Sequence, residues 1–394
     1  MTPRKLKIVF LGLSITSSWG NGHATTYRGL IKELAHIGHE ITFLEKDVPW
    51  YAGNRDLPSP PYCKTVLYSD SAELMEVCAE EVRTADVVII GSYVPDGISV
   101  CKWVFSLGRD EGITAFYDID TPVTVAGLSN GNRKYLDPEL VPHFDLYLSF
   151  TGGPILEHIG NHYGARMARP LYCSADPRQG HMACGATSGA ASGEKEWDLG
   201  YMGTFSQDRQ PGLESLMLGP ARDWPEGRFF VAGPQYPEDI RWPANVSRTS
   251  HIPPDRHPAF YNNQRFTLNI TRADMIKAGY SPSVRLFEAA ACQTPVISDY
   301  WEGLETFFTP GKEILISRSG KETLELLKKM PDEERAAIGE RARQKMLAMH
   351  TPAHRANALE GYIGEAMEAK ARASNKNISS YSIPPSAYSR KNLA

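Results

Sequence analysis

The stretch that decides the fold is Tyr280-Ser281-Pro282-Ser283-Val284-Arg285-Leu286-Phe287-Glu288-Ala289-Ala290-Ala291-Cys292-Gln293-Thr294-Pro295-Val296-Ile297-Ser298-Asp299. It predicts a loop, a short helix and a buried strand. Ser281 can accept hydrogen bonds from the first free amides of the helix, and Pro282 suits its first position. The helix should end near Cys292, because Thr294-Pro295 interrupts it before the apolar strand that follows.

Arg285 and Glu288 are three residues apart, so they share a helix face close to the amino end. That end carries free N–H groups and partial positive charge, which suits a phosphate. An Arg for the phosphate and a Glu that accepts from ribose hydroxyls indicate a site for a nucleoside diphosphate. An ordinary capped helix, in which Arg285 and Glu288 pair with each other, is the alternative that the local pattern leaves open.

The segment RLFEAAACQTPVIS, residues 285–298, resembles the EAMACGTPVI signature of nucleotide-sugar-dependent glycosyltransferases with the GT-B fold of two Rossmann-like domains. The resemblance is closer to the CgeB-like (spore maturation protein type) branch, in which SPSxRxFEA recurs. It implies that Glu288 holds the donor ribose. Many retaining relatives carry a sugar-contacting Glu at the position of Tyr280, so the resemblance does not imply retention of anomeric configuration.

The composition is that of a globular protein with two domains: 394 residues, 42% hydrophobic and 22% charged. A net charge of −4 argues against broad binding to nucleic acid or anionic membrane. No apolar run approaches the ~20 residues of a membrane span. We interpret the apolar start as a first strand rather than a signal peptide, and expect a cytoplasmic protein. The six cysteines include no C-x-x-C pair, which favours reduced thiols.

The first residues predict a βαβ unit: a strand over Leu6–Gly12, a loop rich in Gly and Ser, a helix over Ala24–Ile37 and a strand over Ile41–Leu44. A dinucleotide-binding dehydrogenase is one alternative, but Thr25 stands where the third Gly of G-x-G-x-x-G should be. In GT-B enzymes the equivalent loop touches acceptor and donor sugar.

The same loop supplies three candidate site residues. We therefore assign Gly22 to the donor site and Trp19 to the acceptor site. His23 is a candidate general base, since its side chain titrates near neutrality, and several inverting GT-B enzymes place a His here. A purely structural His23 is the alternative.

Two further predicted strands end in polar residues, and the carboxyl ends of parallel strands form the crevice of open α/β sheets. Tyr93 follows the first of them, and Asp118-Ile119-Asp120 follows the second. We take Asp120 as a second candidate base, and Tyr93 and Asp118 as acceptor contacts. Loop-capping carboxylates are the alternative. Asp118-x-Asp120 also resembles the metal-binding DxD of another glycosyltransferase fold, but GT-B enzymes need no bound metal.

The alternation of strands and helices predicts two doubly wound α/β domains facing across a cleft. We place an acceptor-binding domain at 1–172, a linker at 173–196 and a nucleotide-sugar-binding domain at 197–352. A last helix, at about 353–372, should cross back onto the first domain. Residues 373–394 are polar and rich in Ser, and we expect a disordered tail.

The second half adds basic residues after predicted strands. The segment GTFSQDR, residues 203–209, resembles GTYSxDR of the family, which faces the donor phosphates and implicates Gly203 and Arg209. An exposed Arg209 paired with Asp208 is the alternative. LNITR, ending at Arg272, fits the family's basic residue near the pyrophosphate. We expect Arg272, Arg285 and the Ser283 amide to bind the leaving diphosphate.

The sequence therefore predicts a metal-independent glycosyltransferase of hexosyltransferase type, with a nucleoside-diphosphate sugar as co-substrate and no tightly bound cofactor. UDP is the favoured donor nucleotide, with dTDP and GDP open. The acceptor, a saccharide, a small metabolite or a protein, is open, as is the oligomeric state. A nucleotide-sugar 2-epimerase and a non-catalytic nucleotide-sugar-binding protein are the competing hypotheses.

Overall fold

The computed structural model describes residues 4–178 and 195–380, and this part of the chain forms two parallel β-sheets. The strands of the first sheet are β1 Lys7–Gly12, β2 Glu40–Lys46, β3 Lys64–Tyr68, β4 Val87–Gly91, β5 Ile113–Asp118, β6 Leu146–Ser149 and β7 Ala168–Pro170. The strands of the second sheet are β8 Trp197–Met202, β9 Phe229–Ala232, β10 Val246–Thr249, β11 Gln264–Asn269, β12 Val296–Ser298 and β13 Leu315–Ile316.

Helices cover both sheets. Those of the first domain are α1 Gly22–His36, α2 Pro49–Ala52, α3 Ser71–Val77, α4 Ala79–Thr84, α5 Gly97–Ser106, α6 Thr121–Asn130 and α7 Pro154–Tyr163. The later ones are α8 Gln210–Leu213, α9 Gly219–Asp223, α10 His257–Asn262, α11 Ala273–Ala278, α12 Val284–Ala291, α13 Gly320–Lys329, α14 Asp332–Met349 and α15 Pro352–Ser380. Short 3-10 turns lie at Pro138–His143, Pro254–Arg256 and Leu304–Thr306, and a π turn at Glu214–Leu218 joins α8 to α9.

The two sheets have the same winding. The first has the strand order β3-β2-β1-β4-β5-β6-β7 and the second β10-β9-β8-β11-β12-β13. In each, the order reverses beside the first strand of the domain, and ligands of open α/β sheets bind at that switch point. Interior strands such as β4 and β5 are buried along their whole length, as expected for a parallel sheet covered on both faces. The predicted pair of doubly wound domains is confirmed.

The outer strands β3 and β10 are not predicted by the sequence. Both lie at a sheet edge, and each keeps at least two partly or fully exposed side chains. An edge strand buries less of its surface, so its sequence lacks the apolar run that identifies the interior strands.

The last helix, α15, crosses back onto the first domain as predicted. Leu359 and Ile363 are buried in the core beneath β1 and α1, and the Lys370 ammonium donates to the Gly112 carbonyl at 2.6 Å. The helix continues to Ser380, so the prediction of a tail from residue 373 is wrong at its start. Residues 373–380 contain neither Pro nor Gly, and therefore nothing in them ends the helix. The rest of that tail, 381–394, lies outside the described residues.

Most of the predicted linker, residues 179–194, also lies outside the described part. Its first residues are described, and Cys173 and Ala175 are buried in the core of the second domain. Among the described helices, none is both long and apolar enough to cross a membrane.

Candidate donor and acceptor sites

A cavity of about 300 Å³ lies between the two domains, a volume at the lower end of the range for ligand pockets. The first domain contributes the loop before α1 and the first turn of that helix. The second contributes the residues after β8 and β9, the segment around Ser250–Ile252, and the exposed sides of α10 and α12. These segments follow strands or begin helices, which is where open α/β folds bind ligands.

The amino end of α12 forms one wall. The helix begins at Val284 with Ser283 as its N-cap residue, and no side chain caps it. The expected cap by Ser281 is therefore wrong, because the hydroxyl of Ser281 is buried against Thr151 of the first domain, with 2.8 Å between the oxygens. Ser283 and Val284 line the cavity at this uncapped end. The local backbone amides and the helix dipole suit an anionic ligand here.

Arg285 lies at the same end of the helix, and 8% of its surface is exposed. Its Nε donates to the Met202 carbonyl at 2.7 Å and its Nη1 to Asn269 Oδ1 at 2.6 Å. A Cβ atom built on Gly203 would lie 3.2 Å from the remaining nitrogen, Nη2. Arg285 is therefore fixed by the ends of β8 and β11 and not by an ion pair with Glu288, and it lines the cavity.

Glu288 lies one turn further along α12, and its carboxylate is shared by two side chains of α10. Tyr261 donates its hydroxyl to Oε2 at 2.9 Å, and Nδ1 of His257 lies 3.5 Å from Oε1. The sequence did not identify His257 or Tyr261 as site residues. Their spacing of four places both on one face of a helix, but nothing in the local pattern links that face to Glu288.

Two glycines allow the loops after β8 and β9 to approach closely. Gly233 has φ +155°, and a Cβ there would lie 2.0 Å from the carbonyl oxygen of Gly203. Gly203 lines the cavity as expected of a donor-site residue. Arg209 does not: it donates to Ser206 Oγ at 2.8 Å and to the Thr204 carbonyl at 2.5 Å, behind the loop. These bonds hold Arg209 outside this cavity, and its role as a phosphate ligand stays a prediction.

The first domain contributes the amino end of α1. Asn21 caps that helix by accepting from the His23 amide at 3.1 Å, and Gly22 lines the cavity beside it. Trp19, half exposed, lies between Ser18 and Gly20, which also line the cavity. Gly22 therefore lines the cavity from the first domain, and Trp19 lies next to residues that line it.

The predicted candidates His23, Tyr93 and Asp120 form one cluster beside this wall. The rings of His23 and Tyr93 meet edge to face at 5.4 Å, and Tyr93 donates its hydroxyl to Asp120 Oδ2 at 3.0 Å. Burial lowers the pKa of His23 to about 4, and Nδ1 is buried with no hydrogen-bond partner among the described residues. Burial also raises the pKa of Asp120. His23 is therefore a neutral imidazole at neutral pH.

Asp118 does not belong to this surface. Its side chain is fully buried and accepts from the hydroxyls of Thr124 and Tyr147, each at 2.6 Å. Burial raises its pKa to about 7. The prediction that Asp118 contacts an acceptor is wrong, because the alternation along β5 turns its carboxyl into the domain core.

Arg272 lies at the boundary with the first domain. It does not line the cavity that holds Arg285; its Nη1 lies 3.7 Å from Asp120 Oδ2, across the domain boundary. The preceding Thr271 is held by Asp299, which accepts from its amide and its hydroxyl at 2.9 and 2.7 Å. This fixes the turn so that Arg272 faces Asp120 of the first domain, and its role beside Arg285 on the diphosphate stays a prediction.

Within residues 4–178 and 195–380, no group of three or more His, Cys, Asp or Glu side chains is arranged to hold a metal ion. Arg285 and the amino end of α12 both contribute positive charge at the cavity.

Comparison with known proteins agrees with this architecture. Residues 209–361 match the sequence model of a family described as "Glycosyl transferase-like". No curated protein matches the chain in sequence.

Solved structures match over nearly the whole chain. An alpha-glucosyltransferase in complex with UDP-glucose and DNA is 12% identical, with a TM-score of 0.66, and covers 92% of this chain and 100% of its own. Anabaena HepE, in complex with UDP and glucose, is 10% identical with a TM-score of 0.64, covering 91% of this chain and 100% of its own. Sucrose-phosphate synthase from Thermosynechococcus elongatus is 12% identical with a TM-score of 0.58, covering 96% and 100%.

These likenesses concern the fold, which the strand order of both sheets and the return of α15 already define. The carboxy-terminal domain carries the glycosyl transferase-like sequence pattern, and the whole chain has the GT-B fold.

Proposed function

We propose that this protein is a glycosyltransferase that moves a sugar from a nucleoside-diphosphate sugar to an acceptor hydroxyl. The observation that carries the proposal is the cavity between the domains, where Glu288 and the uncapped end of α12 lie on one wall with Arg285 beside them. A carboxylate for ribose hydroxyls and a positive end for the diphosphate are the two groups such a donor needs.

In this proposal the second domain binds the donor. Glu288 accepts from the ribose, while the Ser283 amide, Arg285 and the backbone at Gly203 contact the diphosphate. These groups stabilise the negative charge that develops on the leaving diphosphate. The proposed mechanism is therefore electrostatic catalysis, and it assigns no step to a metal ion. UDP is the favoured nucleotide, since HepE and the alpha-glucosyltransferase are both described in complexes with UDP or UDP-glucose.

The acceptor would lie against the first domain, between Trp19 and the Tyr93–Asp120 pair. If the reaction inverts the anomeric centre, either His23 or Asp120 removes the proton of the attacking hydroxyl. The neutral state of His23 leaves it able to accept a proton, but a pKa of about 4 makes it a weak base. Asp120 has the raised pKa, and Tyr93 and Arg272 hold it in place. The CgeB-like branch remains the family we propose within this fold.

A thermal-shift screen of the purified protein against UDP, dTDP, GDP, ADP and NAD tests the donor site. A ligand at about 100 times its Kd stabilises the folded state by roughly 2.7 kcal/mol, which is readily measured. We expect one nucleoside diphosphate to raise Tm. A rise in Tm with NAD alone would contradict the proposal and would favour the dehydrogenase hypothesis.

Product analysis with the donor so identified separates transfer from the competing activities. A transferase forms a glycosylated product only when an acceptor is present, whereas a 2-epimerase consumes the donor alone. Binding without any turnover over a wide acceptor panel would indicate the non-catalytic alternative.

A further inference from the structure

His257 stands between two parts of the cavity wall: the Ser250–Ile252 segment and helix α12. Its Nε2 lies 3.2 Å from the Ile252 carbonyl oxygen, and its Nδ1 lies 3.5 Å from Glu288 Oε1. Both neighbours are hydrogen-bond acceptors only. A neutral imidazole has a single N–H and can donate to one of them, whereas an imidazolium donates to both. The geometry therefore suits the charged form.

The charges around His257 act in the same direction. Burial lowers its pKa, but Glu288 from α12, the Ile252 carbonyl and Asp255 from the preceding 3-10 turn raise it, and the net shift is upward. Other titratable groups near Glu288 include Tyr261, which donates to it, Arg285, which lies one turn earlier on α12, and the buried thiol of Cys173, whose pKa is raised by burial and by Glu288. Burial and the Glu288 charge raise the pKa of Tyr261 further above neutrality, whereas the ordinary pKa of a histidine lies near neutrality, so His257 can change its charge in that range.

We propose that His257 is a positioning residue of the donor site, an inference that rests on the proposed function. As an imidazolium it orients the Glu288 carboxylate toward the ribose and fixes the Ser250–Ile252 segment on the same ligand, so that donor affinity falls as the pH rises. Loss of the proton leaves one N–H for two acceptors, so the imidazole loses its hydrogen bond either to Glu288 or to the segment.

Calorimetric titration of the wild type and His257→Gln tests this, with UDP-glucose, dTDP-glucose, GDP-glucose and ADP-glucose as probes at several values between about pH 6 and pH 8.5. These probes carry no phosphate group that titrates in this range, so the ligand does not add a pH dependence of its own. We expect wild-type affinity to fall several-fold across the range. His257→Gln should bind more weakly than the wild type at the acid end and change little with pH.

His158→Gln is the matched control, because His158 is exposed on α7 of the other domain and should leave the wild-type profile unchanged. Failure of all four probes to bind the wild type would overturn both the proposed function and this inference. Binding that is independent of pH, or a His257→Gln profile parallel to the wild type, would overturn this inference and leave the proposed function standing.

An NMR titration gives a readout that needs no ligand. The His257 signal, identified by its loss in His257→Gln, should titrate above the ordinary histidine pKa of about 6.5, and Glu288→Gln should lower that value. If His257→Gln does not fold, Glu288→Gln can be used for the assignment instead. The His257 signal is then the single histidine signal that shifts strongly between the wild type and Glu288→Gln. A wild-type His257 that titrates at or below the ordinary value would overturn the inference.

Discussion

The Glu288 carboxylate is central to the proposed donor site. Glu288 accepts from Tyr261, faces His257 and borders the cavity, and in the proposed function its carboxylate also accepts from the donor ribose. Glu288→Gln keeps the shape and one acceptor oxygen but removes the charge. We expect it to weaken nucleotide-sugar binding by about 1–3 kcal/mol, the usual loss for a hydrogen bond to a charged group. Calorimetric titration with the donor nucleotide measures this.

Glu333→Gln, at an exposed position in the first turn of α14, is the control for a lost carboxylate. It should bind the nucleotide like the wild type. Unchanged affinity in Glu288→Gln, with the fold intact, would remove the ribose contact from the proposed site.

Asp118 allows a prediction about stability. Its pKa rises from 3.8 to about 7 on folding because it is buried. Between these values the folded state holds more protons than the unfolded state, so this residue's contribution is full below about pH 3.8 and is lost as the pH rises through about 7. Asp118→Asn, which stays neutral, should therefore lose less stability than the wild type between about pH 5 and pH 8.

Urea unfolding at a series of pH values measures the difference in free energy of unfolding between the two proteins. Asp110→Asn, at an exposed position, serves as the control and should follow the wild type. Parallel stability profiles for Asp118→Asn and the wild type would contradict the raised pKa.

Some site residues were predictable and others were not, for a physical reason. Glu288, Arg285 and Ser283 lie within six residues on one helix, so their common location follows from helical spacing. His257 reaches Glu288 across thirty-one residues of sequence, through the docking of α10 on α12, and no local pattern encodes it. The position of Arg272 beside Asp120 could not be predicted, because the Thr271–Asp299 bonds, which are again non-local, set the direction of its turn.

At the scale of elements, the turn before α12 ties this helix, which carries the proposed donor site, to the other domain. The Gly152 amide donates to the Tyr280 carbonyl at 3.0 Å, and the Thr151 and Ser281 hydroxyls lie 2.8 Å apart. Tyr280 has φ +47°, a strained value for a residue with a side chain, and its ring packs against both Gly153 and Gly303. The positive end of α12 is thus held in place from both sides of the cleft.

A double-mutant cycle tests this tie. Ser281→Ala leaves the buried Thr151 hydroxyl without its partner, and should lower the free energy of unfolding by about 1–3 kcal/mol. Thr151→Val combined with Ser281→Ala should cost less than the sum of the two single changes, because neither polar group is then left unpaired. The measurement is urea unfolding of all four proteins. Strictly additive losses would mean that the two hydroxyls do not interact.

Whether an element could be predicted from the sequence depends on how much of it is buried. Interior strands such as β1 and helices such as α1 carry buried apolar residues in the pattern of their element, and their predicted bounds lie within about two residues of those observed. The edge strands β3 and β10 escape prediction, since they are recognised only through pairing with a neighbour. The first residue of α12 was misjudged because Ser281 bonds across the cleft instead of capping its own helix.

At the scale of the whole molecule, α15 makes the first domain depend on the end of the chain. Its buried face packs on α1 and on the sheet, with Leu359 fully buried and Ala356 and Ile363 each 1% exposed. Arg355, in the first turn of α15, donates to the carbonyls of Tyr172 and Cys173, where the chain leaves the first domain. The crossing helix therefore anchors both the core of one domain and the segment that leads to the other.

Leu359→Ala should show this dependence. Removing a fully buried Leu side chain loses its transfer free energy and leaves a cavity, at a cost of about 2–5 kcal/mol. Because the packing partners of Leu359 are in the first domain, we expect that domain to unfold at lower urea concentration, while nucleotide binding by the second domain is retained until it unfolds.

Arg372→Ala, on the same helix but 74% exposed, should change stability by less than about 1 kcal/mol. Tryptophan fluorescence would follow global unfolding, and nucleotide-dependent stabilisation would report the second domain separately. A Leu359→Ala protein as stable as Arg372→Ala would mean that α15 adds no stability to the first domain, and that the two sheets fold without it.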